Sequence, residues 1–527
     1  MCGIIVYQYK PPRQELSHRG PDETIKILTK DLKYNFIFHR LAINDLTTHG
    51  RQPFIDPVNS IYMMCNGEIY NHRELEKEFG IKPNSHSDCE IILHLYKKIG
   101  FIKTIERLDG VFAIALYDQL RTCLYLARDP LGVRPLFYNF QINAFASEAK
   151  ALPNSEYTKP FPPNTIYSSI YHSFIPYNSP MDFQPINELP LTNNYDNEIR
   201  EKFFKAIEKR IKNTERPLGL LLSGGFDSSL VASIAHYLFP NKTFHTFSIG
   251  FTDSPDLHYA RLMSKYIKSQ HHEIKYTIQD ALEAIPEVVK ALETFDITTI
   301  RASTPMYLLA KYISQQTDIK VLLSGEGSDE LGYYKYFFKA PSTIEASKES
   351  RRLFKDIYLF DVLRADRSTA SWGLELRVPF LDLDFFKLMH QIPAEFHRPN
   401  TIVSGLDTIV SGQPINDNII EKRHLRYTFR EYLPEEILWR KKDAFSDSVG
   451  ESWRKSLINY ANTLYTDNVF KILSEQIKHL PPKTKEALWY RTIFDEFYLK
   501  SAINLTPYYW MPKWTENEVN DPSAKIL

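Results

Sequence analysis

Residues Leu218-Gly-Leu-Leu-Leu form an uninterrupted apolar run that ends in Ser223-Gly-Gly-Phe-Asp-Ser-Ser and passes into a helical pattern through about His236. A strand that is apolar on both faces must be covered on both faces, which requires a parallel sheet with helical crossovers. Two further runs of this kind, Thr243-Phe-His-Thr-Phe-Ser-Ile-Gly-Phe and Ile319-Lys-Val-Leu-Leu, follow with helical periodicity between them. The second half of the chain is therefore expected to be a doubly wound α/β unit with a largely helical part running to about residue 510. The first 150 residues have a different texture. Short alternating strands such as Phe36-Ile-Phe-His, Ile61-Tyr-Met-Met, Val111-Phe-Ala-Ile-Ala-Leu-Tyr and Cys123-Leu-Tyr-Leu-Ala are separated by polar turns, with helices at about 72–79 and 87–99. That pattern predicts an α+β domain built on packed sheets. Pro, Asn, Ser and Tyr dominate from about 153 to 195, so the boundary is expected near the end of that stretch.

A length of 527 residues suits two to four domains. Lys+Arg and Asp+Glu stand at 64 each, for a formal net charge of +0, which argues against nucleic acid or an anionic membrane as the main partner. No stretch approaches 18 consecutive apolar residues, and the first residues do not read as a signal peptide. Four cysteines, Cys2, Cys65, Cys89 and Cys123, are too few and too irregular for a disulfide scaffold. An intracellular, cytoplasmic setting is the expectation.

The chemistry concentrates at two turns. In Ser223 to Ser229 the glycines allow close approach of an anion, the amides at the helix start point toward it, and Ser228 and Ser229 add hydroxyl donors. The usual Gly-x-x-x-x-Gly-Lys-Ser/Thr loop is absent. The third apolar strand ends in Ser324-Gly-Glu-Gly-Ser-Asp-Glu, and in a parallel sheet both turns emerge at the carboxyl edge. Carboxylates beside a polyphosphate call for a cation, so Asp227 and Asp329 are candidate Mg²⁺ ligands.

Together these motifs resemble the ATP-pyrophosphatase synthetases, which cleave ATP between its α- and β-phosphates and adenylate a carboxylate. Thr298-Thr-Ile-Arg-Ala-Ser-Thr-Pro-Met-Tyr, Trp372-Gly-Leu-Glu-Leu-Arg-Val-Pro-Phe-Leu-Asp and Trp439-Arg-Lys-Lys-Asp-Ala-Phe-Ser-Asp narrow the resemblance to asparagine synthetases. The resemblance implies that Ser223, Gly224, Gly225, Asp227, Ser228 and Ser229 hold pyrophosphate, and that Leu222, Ile249, Ser324 and Gly325 line the ATP site. Glu326 would promote adenylate formation or deprotonate ammonia, and Lys442 would neutralise phosphate charge. Arg301 is either an aspartate or phosphate contact or a buried structural arginine.

The amino-terminal half carries a second resemblance. Removal of Met1 would leave Cys2 with a free α-amine that can serve as base to its own thiol. His18-Arg-Gly-Pro-Asp, His39-Arg-Leu-Ala-Ile, Asn66-Gly-Glu-Ile-Tyr-Asn, Ser87-Asp-Cys-Glu and Ala127-Arg-Asp-Pro-Leu-Gly follow in order. They resemble the N-terminal-nucleophile glutaminase domain of class II glutamine amidotransferases, which implies packed antiparallel sheets of αββα type. By that resemblance Arg40 binds the glutamine α-carboxylate, Asp88 and Glu68 its α-ammonium, and Leu41, Ala42, Ile43 and Asn44 the rest of the pocket. Asn66 and Gly67 would form the oxyanion hole.

The organisation expected is a glutaminase domain at 2–190, a synthetase domain at 196–510 and a tail at 511–527. The substrates implied are L-aspartate, L-glutamine and ATP with Mg²⁺, handled by a homodimer without nucleic acid or membrane. A β-lactam-forming or other carboxylate-adenylating synthetase, and a non-catalytic protein on the same fold, remain alternatives. Phe226 departs from the family's usual Leu, and the stretch before His18 is short.

Overall fold

In the computed structural model the described residues are 1–177, 194–251, 254–397, 421–440, 451–514 and 522. The first half holds two antiparallel sheets. One comprises β1 (Gly3–Tyr7), β2 (Glu23–Leu28), β3 (Asn35–Arg40), β8 (Phe137–Asn139), β9 (Ala144–Ala146) and β10 (Lys159–Pro160), in the order β10-β8-β9-β1-β3-β2. The other comprises β4 (Phe54–Asp56), β5 (Ile61–Ile69), β6 (Gly110–Asp118), β7 (Cys123–Arg128), β11 (Thr165–Ser168) and β12 (Ser173–Pro176), in the order β12-β11-β7-β6-β5-β4.

Period-two alternation sorts their side chains into three layers. Ile4, Val6, Phe36, Phe38, Tyr62, Met64, Ala113 and Ala115 meet between the sheets. The opposite faces of β5 and β6 send Met63, Cys65, Phe112, Ile114 and Leu116 against the helices His72–Phe79, Ile91–Ile99 and Phe101–Arg107. Ile5 and Ile37, on the remaining face, join the core of the second half of the chain. The outer helical layer expected on that side is thus supplied from beyond residue 195.

The second half is a five-stranded parallel sheet in the order β15-β14-β13-β16-β17, formed by β13 (Leu218–Leu221), β14 (His245–Gly250), β15 (Gln270–Lys275), β16 (Val321–Leu323) and β17 (Glu375–Arg377). The chain winds outward from β13 in both directions, so the carboxyl ends of β13 and β16 form the topological switch point where ligands bind in such sheets. The three apolar runs are β13, β14 and β16, while the two outer strands carry His271, His272, Glu273, Glu375 and Arg377 and escape an apolar pattern. Late in the chain, Trp510 N–H donates to Asp296 at 2.7 Å and Lys513 pairs with the buried Glu349 at 2.7 Å. The end of the expected synthetase domain is thereby tied to the start of the helix Ile297–Gln316, and the start of the expected tail to the helix Thr343–Asp356.

The two halves meet across buried charge. Arg19, with no solvent exposure, donates to Glu148 at 2.6 Å and to both oxygens of Asp366 at 2.8 and 3.1 Å. Arg367 joins Asp366 at 2.8 Å and Glu293 at 3.1 Å, and Arg134 lies 3.2 Å from Glu375. Burial opposes ionisation of Glu148 and Asp366. Lys150, His18, Arg367 and Arg19 around the first, and Arg19 and Arg367 around the second, nevertheless hold both below the usual carboxylate range. Such depressed groups contribute stability that is present above the unfolded value, about 4, and is lost as pH falls through the folded one. Arg19→Met, which takes one cation from each of two buried carboxylates that keep Lys150 and Arg367, is expected to destabilise the protein by about 3 kcal/mol at pH 7. Urea melts should show a lower midpoint at pH 7 and a gap between variant and parent that narrows by pH 3; a constant gap would contradict this account.

Candidate active sites

Cys2 lies just before β1, beside the end of β3. Its Sγ accepts from Leu41 N–H at 3.4 Å, and its carbonyl accepts from Arg19 Nε at 2.9 Å. The later part of β5 carries Asn66, Gly67 and Glu68, the first and last of them buried, and the charge of Glu68 acts on the Cys2 thiol. The Asn66 side chain is fully buried, and neither its amide nitrogen nor its oxygen has a partner among the described residues. An orphaned buried amide carries an energetic penalty unless a ligand satisfies it. Asn44 Nδ2 donates to Glu68 at 3.0 Å and to Asp88 at 3.3 Å, and Asp88 accepts from Ile69 N–H at 2.6 Å. Leu41, Ala42 and Ile43 are buried in the same turn. Arg40 is buried too, but its guanidinium donates to the Asp45 carbonyl and lies 3.8 Å from Glu23.

Two residues of this site come from the other half and carry no motif signal for glutamine chemistry. Asn213 Nδ2 donates to Glu68 at 2.5 Å and to Asp88 at 3.2 Å, and the Arg377 guanidinium lies 2.9 Å from Glu68. Burial drives the Glu68 carboxyl well above its usual range, with Arg377 opposing. Met1 is fully buried, its thioether against Arg19 and Arg134, while Cys2 is half-buried. Burial pushes the Cys2 thiol up to about 11 and the Met1 amine down to about 6.

The second site is a cavity of about 240 Å³ at the switch point. Leu222, Ser223, Asp227, Ser228, Ile249, Ser324, Gly325, Glu326 and Asp329 line it, as do Thr298, Thr299 and Met306 of the helix Ile297–Gln316. Ser228 Oγ accepts from Ser223 N–H at 3.1 Å and lies 3.0 Å from Ser223 Oγ, which shapes the loop before any ligand arrives. Gly224 has φ +69, and a Cβ there would stand 2.5 Å from Ala260 N. A Cβ on Gly325 would stand 2.9 Å from the Asp227 and Ser228 backbone, so the two loops touch only because this position is bare. Gly225 caps the helix Phe226–Leu238, and Ser229 is fully buried inside it. The departing residue Phe226 is buried beneath Arg426, whose guanidinium stands 4.7 Å from the ring centroid.

Charge in this cavity is arranged in two groups. Lys422 Nζ lies 2.8 Å from both oxygens of Asp227 and also pairs with Asp329. Burial works against ionisation of Asp227, yet Lys422 holds it below its usual range, while the Asp329 side chain remains half exposed. Arg364 donates to Glu326 at 2.5 Å and to Asp361 at 2.7 Å. Burial raises Glu326, with Arg364 opposing. Arg301 is turned elsewhere: it chelates Glu486 at 2.8 and 2.6 Å, 2% exposed, outside the cavity lining. Lys442 lies outside the described residues. Lys422, Arg364 and Asp361 escaped the sequence reading because they lie in no quoted motif.

Comparison with known proteins agrees with this two-site arrangement. A profile of the glutamine amidotransferase domain matches residues 1–203, and one of asparagine synthase matches residues 198–351 and 338–517. The probable asparagine synthetase (glutamine-hydrolysing) of Acanthamoeba polyphaga mimivirus is 40% identical over 571 aligned positions, covering 100% of both chains. Asparagine synthetases (glutamine-hydrolysing) of Mus musculus and Homo sapiens are 42% and 40% identical, each covering 97% of this chain and 94% of the relative. The chain belongs to the glutamine-hydrolysing asparagine synthetase family.

The state of the Cys2 thiol is open to test. At pH 8 a thiol near 11 is almost entirely protonated and a poor nucleophile. Protein that retains Met1 is expected to leave Cys2 unalkylated by iodoacetamide under native conditions, and protein lacking Met1 to be labelled there. Peptide mass mapping reads the difference, and equal labelling of both forms would show that Met1 does not screen the thiol.

Proposed function

We propose that the chain makes L-asparagine from L-aspartate, with ATP as the activating substrate and glutamine as the nitrogen donor. The observation that carries this reading is the pairing of two unlike sites in one molecule, a thiol and an orphaned buried amide in the antiparallel half and a switch-point cavity walled by phosphate-loop residues and carboxylates. Residues 2–190 are assigned the glutaminase reaction and 196–510 the synthetase reaction.

Once Met1 is removed, the Cys2 α-amine takes the thiol proton and sulfur attacks the glutamine amide carbon. Asn66 Nδ2 and Gly67 N–H receive the developing oxyanion, and ammonia leaves as a γ-glutamyl thioester forms, which water then hydrolyses. Glu68, Asp88 and Asn44 hold the α-ammonium end and Arg40 the α-carboxylate. In the cavity the aspartate β-carboxylate attacks the α-phosphorus of ATP, giving β-aspartyl-AMP and pyrophosphate. Ser223 to Ser229 cradle the phosphates, aided by Lys442. Asp227 and Asp329 fit a divalent cation, since two loops bring them onto one shared positive charge. Mg²⁺ bound there would neutralise phosphate charge and polarise phosphoryl oxygen. Arg364 and Asp361 offer opposite charges to the α-carboxylate and α-ammonium of aspartate, a better-placed pair than Arg301. Ammonia displaces AMP while Glu326, its carboxyl raised by burial, accepts a proton.

Among the described residues no helix is long and apolar enough to cross a membrane. The family resemblance carries a cytoplasmic homodimer acting on small molecules without nucleic acid.

With amide-¹⁵N glutamine, aspartate and Mg-ATP, labelled asparagine should appear with AMP and pyrophosphate in equal amounts; ADP as the nucleotide product would sink the reading. Cys2→Ala is expected to lower glutamine-dependent asparagine formation by at least about 10³-fold while ammonia-dependent formation persists. Parallel loss of both activities would argue against two separable sites.

A further inference from the structure

Lys422 reaches the candidate metal site from a part of the chain that the phosphate-loop motifs do not include. It precedes the helix Arg423–Thr428 with a left-handed backbone, φ +58, and is 3% exposed. Asp227 follows β13 and Asp329 follows β16, so three separate segments converge on one ammonium. Left to themselves, two carboxylates on touching loops would repel, and Lys422 removes that repulsion. Its stem is enclosed as well: a Cβ on Gly332 would stand 2.7 Å from Lys422 Cγ. The side chain is therefore confined to the cavity, with the loop Ser223–Ser228 on the same wall.

A divalent cation bridging Asp227 and Asp329 would have to stand where this ammonium stands. Among the described residues no group of three or more His, Cys, Asp or Glu side chains could hold a metal, so two carboxylates would leave the rest of a six-fold shell to water and, with nucleotide present, to phosphate oxygens. Those same oxygens are good acceptors for a displaced ammonium.

We propose that Lys422 guards the metal site: its ammonium competes with a divalent cation for Asp227 and Asp329, and yields them only when nucleotide phosphates arrive to receive it. Metal and nucleotide then enter together, and Lys422 is converted from a partner of carboxylates into a contact of the triphosphate. This rests on the reading of the cavity as a Mg-ATP site.

The test uses the full chain and Lys422→Met. With MgCl₂ alone, the parent is expected to gain no more than about 1 °C in melting temperature, whereas the variant gains several degrees and half-saturates at a Mg²⁺ concentration lower by at least about tenfold. With excess Mg²⁺, the variant should require at least about tenfold more ATP for half-maximal AMP formation. If the parent binds Mg²⁺ alone as tightly as Lys422→Met does, or if the variant's KM for ATP is unchanged, the proposal is overturned. Should the methionine variant fail to fold, Lys422→Arg carries the test. A guanidinium keeps the charge but stays fixed on the carboxylates, so Mg²⁺ alone should remain excluded as in the parent while the KM for ATP rises; an unchanged KM for ATP, or binding of Mg²⁺ alone, overturns the proposal. A parent that forms no AMP and pyrophosphate refutes the Mg-ATP reading instead, a result separable from the titration with metal alone.

Discussion

The structure depends on a guanidinium buried between two halves of the chain. Arg19 has no exposure to water and is satisfied only because Glu148 approaches from its own side and Asp366 from the other. A cation in that position is tolerable only with its partners in place, so the halves are held in one relative arrangement rather than merely stuck together by apolar surface. The same arginine grips the Cys2 carbonyl. The interface and the nucleophile thus share a single anchor, and distortion of one would be felt by the other.

Close approach governs the second site in the same way. Gly325 brings the acidic turn against the phosphate loop, and Lys422 lets the carboxylates of the two turns face one another. Neither condition would be sufficient alone. A side chain at residue 325 would part the loops, and loss of the ammonium would set like charges against each other.

The sequence made the central strands legible because β13 and β16 are buried on both faces and apolar throughout, and β14 alternates Phe247 and Ile249 with small or polar residues paired to β15. Outer strands obey a weaker rule. β15 carries His271, His272 and Glu273 and stays half-exposed, and β17 is three residues long, with Glu375 and Arg377 committed to ion pairs. No apolar pattern could have announced either strand. At the sites, residues in local motifs were legible, Asn66 to Glu68 and Ser223 to Ser229 among them. Lys422 was not, since its partner Asp227 lies 195 residues away, and nor was Asn213, which meets Glu68 across 145 residues. Their roles follow from topology, which brings together side chains that composition and spacing leave apart. Arg301 illustrates the converse: a motif arginine that pairs with Glu486 outside the cavity lining.

The partners of Glu68 bear on the order in which the molecule comes into being. Asn213 and Arg377 both lie beyond the first half, so an emerging polypeptide of some 200 residues has all of β5 but not the groups that brace its acidic pocket. During synthesis at a ribosome, the portion carrying the thiol is made first and its bracing last. The bracing of Glu68 is complete only once β17 has been made, by which time both turns of the synthetase cavity have also been made.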